Sequence, residues 1–131
     1  MEVKTDRRYG EHVWAKDNED GTWTIGITEW LNEYLGEIDS VDFNVDVDDP
    51  VSCGTKIGHI FGENNSSELI SPVEGVVTSI NAEVEINPEA MNDDVWEDAW
   101  LLIIKAENEN SHDTSSAEEY AETYDGELVS E

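Results

Sequence analysis

Side chains that could act as nucleophiles or metal ligands are few in this chain and lie far apart. Cys53 is the single cysteine, and the three histidines are His12, His59 and His112. One cysteine excludes an internal disulfide and a cysteine-based zinc cage, and the histidines lack the short spacing of a zinc site. No nucleophile elbow, phosphate loop or dinucleotide fingerprint occurs. We therefore predict no enzymatic activity, and interpret Cys53 as a structural or bystander residue and His59 as a packed or rim histidine.

Acidic clusters are the second group of residues that could bind a ligand. None has the spacing of an EF-hand loop, and 33 of the 131 residues are acidic, so clusters arise from composition alone. We interpret them as solvated surface and expect no metal site. The clusters are Asp46, Asp48 and Asp49, then Asp93 and Asp94, then Glu97 and Asp98.

Among the five tryptophans, Trp96 is the candidate for an exposed position.

Short stretches of alternating side chains predict a mainly β protein. Residues 22–27 place Trp23, Ile25 and Ile27 on one face, and residues 41–48 alternate apolar and acidic side chains without a break. Residues 100–104 are apolar throughout, as in a strand covered on both faces. Several short strands separated by turn residues favour a sandwich or a flattened barrel.

A helix is predicted directly after the first of these strands, residues 22–27. Thr28 can cap its first turn, and Gly36 stands where a left-handed residue ends many helices. The residues expected to face inward are Trp30, Leu31, Tyr34 and Leu35.

A second helix is predicted near the C-terminus. It begins at Ser115 or Ser116, each followed three residues later by a glutamate as in a capping box. A short helical turn is also expected at residues 88–92, and residues 125–131 are expected to fray. The side chains on the inward stripe of the second helix are Ala117, Tyr120, Ala121 and Tyr124.

Between these helices, residues 56–61 and 68–71 predict the two arms of a β-hairpin. The tip is expected at Glu63, Asn64, Asn65 and Ser66. Because asparagine tolerates a positive φ, we expect Asn64 and Asn65 to close a tight turn.

Ordered motifs along the chain resemble those of the glycine cleavage system H protein family. Residues 9–16 (YGEHVWAK) are similar to its opening His-Glu-Trp strand, with valine in place of the glutamate, and residues 21–38 are similar to its Val-Gly-Ile-Thr strand and following helix. Residues 68–75 (ELISPVEG) resemble its acidic-Leu-aromatic-Ala-Pro-Val-x-Gly run. The resemblance covers residues 9–124 and implies a lipoyl/biotinyl-domain-like barrel-sandwich hybrid with a C-terminal helix.

The resemblance also locates the family's lipoyl-lysine, which is missing here. Counting back from Pro72 places that position at Asn64, since the family's Glu-Ser-Val-Lys-Ala reads Phe-Gly-Glu-Asn-Asn at residues 61–65. An amide offers no nucleophilic amine on a long stem, and the chain has no lysine between Lys56 and Lys105. We therefore expect that Asn64 cannot be modified and that no cofactor is carried.

Length and composition indicate one domain. A chain of 131 residues can bury a core without disulfide or metal, and no apolar run is long enough for a membrane span. Residues 1–8 lack the features of a secretory signal or a transit peptide, so we expect a cytoplasmic protein. We also expect a monomer. We divide the chain into an N-terminal extension at 1–8, the lipoyl-type domain at 9–124 and an acidic tail at 125–131.

Net charge excludes several classes of partner. Thirty-three acidic residues against six basic ones give a net charge of −27, which repels nucleic acid and anionic membranes. Because the acidic residues are spread along the chain, we interpret the surface as an adaptation to high salt. The alternative is an acidic docking face for a basic partner.

Three functions remain open. The first is a non-lipoylated H-protein homologue that binds components of glycine cleavage or lipoate metabolism. The expected partners are the decarboxylase, the aminomethyltransferase, the dihydrolipoamide dehydrogenase or a lipoate-attachment enzyme. The second is a true H protein that carries the aminomethyl group on a lipoyl arm. The third, an unrelated acidic structural protein, has little in its favour because so many motifs occur in order.

Overall fold

The fold is built from short strands, as the alternating residue pattern predicts. A computed structural model describes residues 2–10, 12–88, 99–107, 112, 114–124 and 126–129. Within these residues the strands are β1 (Glu2–Lys4), β2 (Arg8–Tyr9), β3 (Val13–Asp17), β4 (Thr22–Ile27), β5 (Ile38–Phe43), β6 (Pro50–Val51), β7 (Lys56–Gly62), β8 (Ser66–Ile70), β9 (Gly75–Ile80), β10 (Leu102–Ala106) and β11 (Glu127–Val129). The helices are α1 (Glu29–Leu35), α2 (Glu83–Ile86) and α3 (Ala117–Tyr124).

Two antiparallel sheets enclose the core. One has six strands in the order β2-β3-β4-β10-β9-β6, and the other has three in the order β5-β7-β8. A single cluster of buried side chains includes Ile25 and Ile104 from the first sheet and Ile60 and Leu69 from the second. The prediction of a mainly β sandwich-type fold with short helices and a C-terminal helix is therefore confirmed.

The buried positions of a strand were predicted correctly where the strand has a neighbouring strand on each side. In β4, Trp23, Ile25 and Ile27 are all buried, as expected. The strand predicted at residues 41–48 instead ends at Phe43. The backbone N–H of Asp46 donates to the Asp49 carboxylate at 2.8 Å, so a side chain takes the place of a neighbouring strand and turns the chain.

Helix α1 has both predicted ends but a narrower buried face. The Thr28 hydroxyl accepts a hydrogen bond from the Leu31 N–H at 3.2 Å, and Gly36 has a φ of 79°. Leu31 and Leu35 are buried, whereas Tyr34 is 45% exposed. The expectation that Tyr34 faces the core is wrong, because its ring lies on the outer surface of Trp30.

Helix α3 begins with the predicted capping box. The Ser116 hydroxyl accepts from the Glu119 N–H at 3.2 Å, and the Glu119 carboxylate accepts from the Ser116 N–H at 3.4 Å. Ala117, Tyr120 and Ala121 are buried. The turn predicted at 88–92 lies, apart from Pro88, outside the described residues, and α2 was not predicted.

Both ends of the chain join one small sheet. Strand β1 pairs in parallel with β11, with Glu2 opposite Glu127 and Lys4 opposite Val129. The prediction that residues 125–131 fray is therefore wrong for Glu127–Val129, because the N-terminal strand supplies backbone partners. In the part of the chain that is described, no helix is long and apolar enough to cross a membrane.

Candidate functional site

The site indicated by the sequence is the hairpin of β7 and β8. Phe61 pairs with Ser66, and the N–H of Gly62 donates to the Asn65 carbonyl at 2.9 Å. Glu63, Asn64 and Asn65 form the connection and are called the hairpin tip. Neither asparagine has a positive φ, so the expected left-handed turn is wrong: a three-residue loop reaches the opposite strand without it.

The hairpin tip is fixed against the C-terminal end of α1. The N–H of Asn64 donates to the Leu35 carbonyl at 2.9 Å, and the Asn65 side-chain amide donates to the Tyr34 carbonyl at 2.8 Å. The last carbonyls of a helix have no partner within the helix, so the tip supplies the donors they need. A third bond runs from the N–H of Glu63 to the Glu37 carbonyl at 2.9 Å.

Two glycines allow the close approach of tip and helix. A Cβ on Gly62 would overlap the Leu35 carbonyl oxygen. A Cβ on Gly36 would lie 2.6 Å from the side-chain nitrogen of Asn64. Gly62 therefore needs glycine because its neighbour is backbone, whereas Gly36 needs it chiefly for its φ of 79°. The hairpin pattern alone did not indicate either role.

Asn64 presents an exposed side chain but engages α1 through its backbone. The tip side chains are all exposed. Lys56, the last lysine before the tip in sequence, stands at the far end of β7, opposite Ile70, with its amine 3.7 Å from the Glu68 carboxylate. Position 64 is thus exposed to solvent on a loop that is hydrogen-bonded to the end of α1, and its side chain is an amide.

A groove of about 510 Å³ runs beside the hairpin. Helix α1 forms one wall and β8 the other. His12 lies at the groove with its ring stacked on Trp30 at a centroid distance of 4.4 Å, and Trp30 stacks in turn on Tyr34 at 5.3 Å. Because His12 and the hairpin are far apart in the chain, no sequence pattern connects them. The lining residues are His12, Trp30, Leu31, Tyr34, Ser66, Ser67, Glu68 and Ile70.

Among the residues that the structure describes, the other candidates do not form a second site. His59 is half-buried and stacks on Phe61 at 4.5 Å, as predicted for a packed or rim histidine. Cys53 is exposed, with its sulfur 3.5 Å from the Pro72 carbonyl. Among the described residues, no group of three or more His, Cys, Asp or Glu side chains could hold a metal ion. Trp96 and the acidic pairs at 93–94 and 97–98 lie outside the described residues.

The described groups whose pKa is shifted lie away from the hairpin. Burial raises the pKa of Asp6, but its hydrogen bond to Arg7 and the charges of Arg7 and Lys16 outweigh burial and hold the pKa below its ordinary value. Burial raises the pKa of Tyr120 to about 12. Both residues belong to the region where the N-terminal segment meets α3, so they do not equip the hairpin for proton transfer.

Comparison with known proteins gives a consistent result. The family model described as glycine cleavage H-protein matches residues 6–127. The glycine cleavage system H protein of Vibrio parahaemolyticus serotype O3:K6 is 38% identical over 118 residues, which are 89% of this chain and 93% of that protein. The H protein of Aliivibrio fischeri strain MJ11 is 39% identical over 94 residues, 72% and 74% of the two chains.

A solved structure extends the similarity to the fold. The crystal structure of a glycine cleavage system H protein from Mycobacterium marinum superposes with a TM-score of 0.84 at 26% identity. The match covers 92% of this chain and 98% of that one. The similarity therefore extends over almost the whole chain.

Proposed function

Because the chain belongs to the glycine cleavage H-protein family, we propose that it is a non-lipoylated member that acts as a binding or accessory module in glycine cleavage or lipoate-linked metabolism. The family resemblance predicted from the motifs is confirmed. Membership also supports the prediction that the chain is a carrier-type or binding protein and not an enzyme. The observation that carries the proposal is the amide at position 64.

The geometry of the tip supports this proposal in two ways. Position 64 is exposed at the end of a hairpin, which is where an attached group would have to stand. The tip is also held by backbone N–H groups at residues 63 and 64, which bond the carbonyls of Glu37 and Leu35 and which every amino acid other than proline provides. Replacement of a lysine by asparagine at position 64 therefore removes the acceptor amine and leaves the docking of the hairpin intact.

The proposed partners follow from the family. We infer that the chain docks on enzymes of glycine cleavage or on a lipoate-attachment enzyme, and that it carries no lipoate itself. The second candidate, a true H protein with a lipoyl arm, needs an amine that neither Asn64 nor its neighbours offer. Lys56 is a poor substitute, because it lies at the opposite end of β7 from the tip.

Intact-mass spectrometry of the protein purified from its own host tests the proposal directly. We expect the mass of the unmodified chain, because no amine stands at the tip. A lipoyl adduct on any residue would overturn the proposal and favour the true carrier. Peptide mapping would then locate the modified residue.

The variant Asn64→Lys tests whether the presenting hairpin is retained. Incubated with a lipoate ligase, ATP and lipoate, this variant is expected to become modified, whereas the native chain stays unmodified. Ser66→Lys is the matched control, since it places the same amine two residues away on an exposed position of the same hairpin. If Asn64→Lys folds but gains no lipoyl group, the surface that the ligase recognises is absent, and docking on lipoate-attachment enzymes is ruled out.

A further inference from the structure

Strand β8 is an edge strand beside the groove. Among the described residues it pairs with β7 on one side and with no strand on the other. An unpaired edge presents backbone N–H and C=O groups that can pair with another extended chain. Helix α1 stands across the groove from this edge, and both elements line it. The arrangement of a strand edge facing a helix is one that binds extended peptides by strand addition.

The dimensions suit a short peptide. The five residues of β8 span roughly 17 Å at about 3.3 Å per residue. The groove volume of about 510 Å³ can take several side chains. One end is closed, because the hairpin tip is bonded to the end of α1. A peptide lying along β8 would therefore have a defined length and a defined end.

Aromatic rings form the helix side of the groove. Trp30 is half-buried between His12 and Tyr34, with the three rings nearly parallel: the interplanar angles are 8° and 11°. Tyr34 is 45% exposed. Since the rings of His12 and Tyr34 lie against Trp30, the outer face of Tyr34 is the one offered to a cation such as the side chain of arginine or lysine. The groove thus has a surface for a cation as well as an edge for a backbone.

The charge of the groove indicates which peptide would enter. Of the described residues that line it, Glu68 alone has a formal charge at neutral pH. The Glu68 side chain is 59% exposed, and its partner Lys56 is 3.7 Å away across a solvated surface. Glu63 is exposed at the closed end. A second copy of this chain would bring another −27 to the same place, so self-association is opposed by charge.

We propose that the groove between α1 and β8 binds an extended basic segment of a partner protein. The segment pairs through its main chain with β8 as an added strand, and its arginine or lysine side chains reach Glu68 and the outer face of the Tyr34 ring. This inference rests on the proposed function as a binding module and names the partner chemistry for the same hairpin. It requires no modification of the chain.

The first experiment separates strand addition from attraction between net charges. The probe is the fluorescent peptide acetyl-Arg-Val-Arg-Val-Arg-Val-amide, titrated into the full chain by fluorescence anisotropy at moderate and at molar KCl. The control peptide has the same sequence with alternate backbone nitrogens methylated, which removes donors and leaves the charge unchanged. We expect the methylated peptide to bind at least about tenfold more weakly, because two or more hydrogen bonds are lost. Equal binding of the two peptides would overturn strand addition.

The second experiment uses variants whose effects have opposite signs. Glu68→Gln is expected to weaken binding of the probe peptide by about two- to fivefold. Lys56→Gln is expected to strengthen its binding by a similar factor, because Lys56 competes for the same carboxylate. Tyr34→Ala should weaken binding of the probe peptide by about fivefold, because the ring face that contacts its cationic side chain is lost. The matched control is Glu122→Gln on α3, which removes the same charge from an exposed position on a different element. If Glu122→Gln weakens binding as much as Glu68→Gln, the groove is not the site.

NMR shift mapping with the same probe locates the peptide on the native chain. Shifts concentrated in residues 30–34 and 66–70 support the proposal, and shifts concentrated elsewhere overturn it. The result is independent of the intact-mass measurement. A lipoyl adduct would refute the proposed function without changing these NMR shifts. Equal binding of the methylated and unmethylated peptides would refute strand addition in the groove without adding mass to the chain.

Discussion

The hairpin tip and the N-terminal segment, residues 2–17, are fixed to the rest of the protein by different kinds of interaction. The tip is held by backbone hydrogen bonds to the end of α1, while its side chains are exposed. The N-terminal segment combines backbone pairing with side-chain contacts to the rest of the protein: the Arg8 guanidinium donates to the Thr114 hydroxyl at 2.7 Å, and Tyr9 stacks on Tyr120 at 4.5 Å. A residue at the tip can therefore change its chemistry at small cost, whereas a residue in the N-terminal segment cannot.

Charge separates the N-terminal segment from the remainder of the chain. Residues 2–17 contain four of the six basic residues and four acidic residues, so their net charge is zero. The remainder of the chain contains two basic and 29 acidic residues and carries the whole net charge of −27. Arg7 and Lys16 both approach the Asp6 carboxylate, at 2.9 and 3.7 Å. Most of the basic residues are thus gathered in one segment, and most of the acidic residues lie outside it.

The largest predicted effect is that of salt on the acidic remainder. Self-repulsion of net charge is strong at low ionic strength and almost vanishes at molar KCl, where the Debye length is about 3 Å. We expect the free energy of unfolding in urea to rise by about 3 kcal/mol or more between the two conditions. Equal stability in both would contradict adaptation to high salt and favour an acidic docking face.

A large effect is also predicted for Arg7→Ala. This side chain is fully buried, so truncation removes the contact with Trp14 and leaves Asp6 without its closest cation. We expect a loss of about 3 kcal/mol in urea unfolding. Asn64→Ala at the tip is the matched variant and should cost under about 0.5 kcal/mol. A costly Asn64→Ala would break the comparison between the two regions.

The Arg7→Ala variant should also change the pH dependence of stability. Because the pKa of Asp6 is lowered in the folded state, its ionised form stabilises the native chain above its ordinary pKa, and this stabilisation is lost as pH falls through the lowered value. Without Arg7 that acid-dependent loss should shrink. Unchanged acid titration in the variant would show that Lys16 alone sets the pKa.

A smaller effect is predicted for Gly62→Ala, which tests the backbone docking of the tip. Its Cβ would overlap the Leu35 carbonyl, so the tip must move away from α1, at a cost of about 2 kcal/mol. The control is Gly54→Ala, where φ is 93° and no atom lies within 4 Å of the added Cβ. That variant should cost about 1 kcal/mol from backbone strain alone. Faster amide exchange at residues 63 and 64 in Gly62→Ala alone would sharpen the assignment.

The smallest effect is predicted for Asn65→Ala. It removes one side-chain hydrogen bond, to the Tyr34 carbonyl, and should lower stability by about 1 kcal/mol. Asn44→Ala is the control at an exposed asparagine with no described side-chain bond, and should change stability by under about 0.5 kcal/mol. Equal effects of the two substitutions would mean that the tip rests on backbone bonds alone.

Sequence patterns determined local structure where the deciding interactions are local. The cap at Thr28, the capping box at Ser116 and the inward face of β4 were all predicted, since each depends on residues a few positions apart. The strand expected at 41–48 was shortened by a side-chain turn, and the fraying expected at 125–131 was replaced by pairing of Glu127–Val129 with β1. Both differences arise from partners that a local pattern does not contain.

The sequence by itself determined the family, the acidity and the amide at position 64, because each is a matter of residue identity and order. Only the tertiary structure decided that the hairpin tip rests on α1 and that His12 lies beside Trp30. It also decided that β8 faces a groove. These features depend on backbone groups and close approaches between segments distant in the chain, which residue types do not encode one by one. The absence of an amine at position 64 follows from the sequence alone, whereas what the hairpin can still bind depends on the residues packed around it.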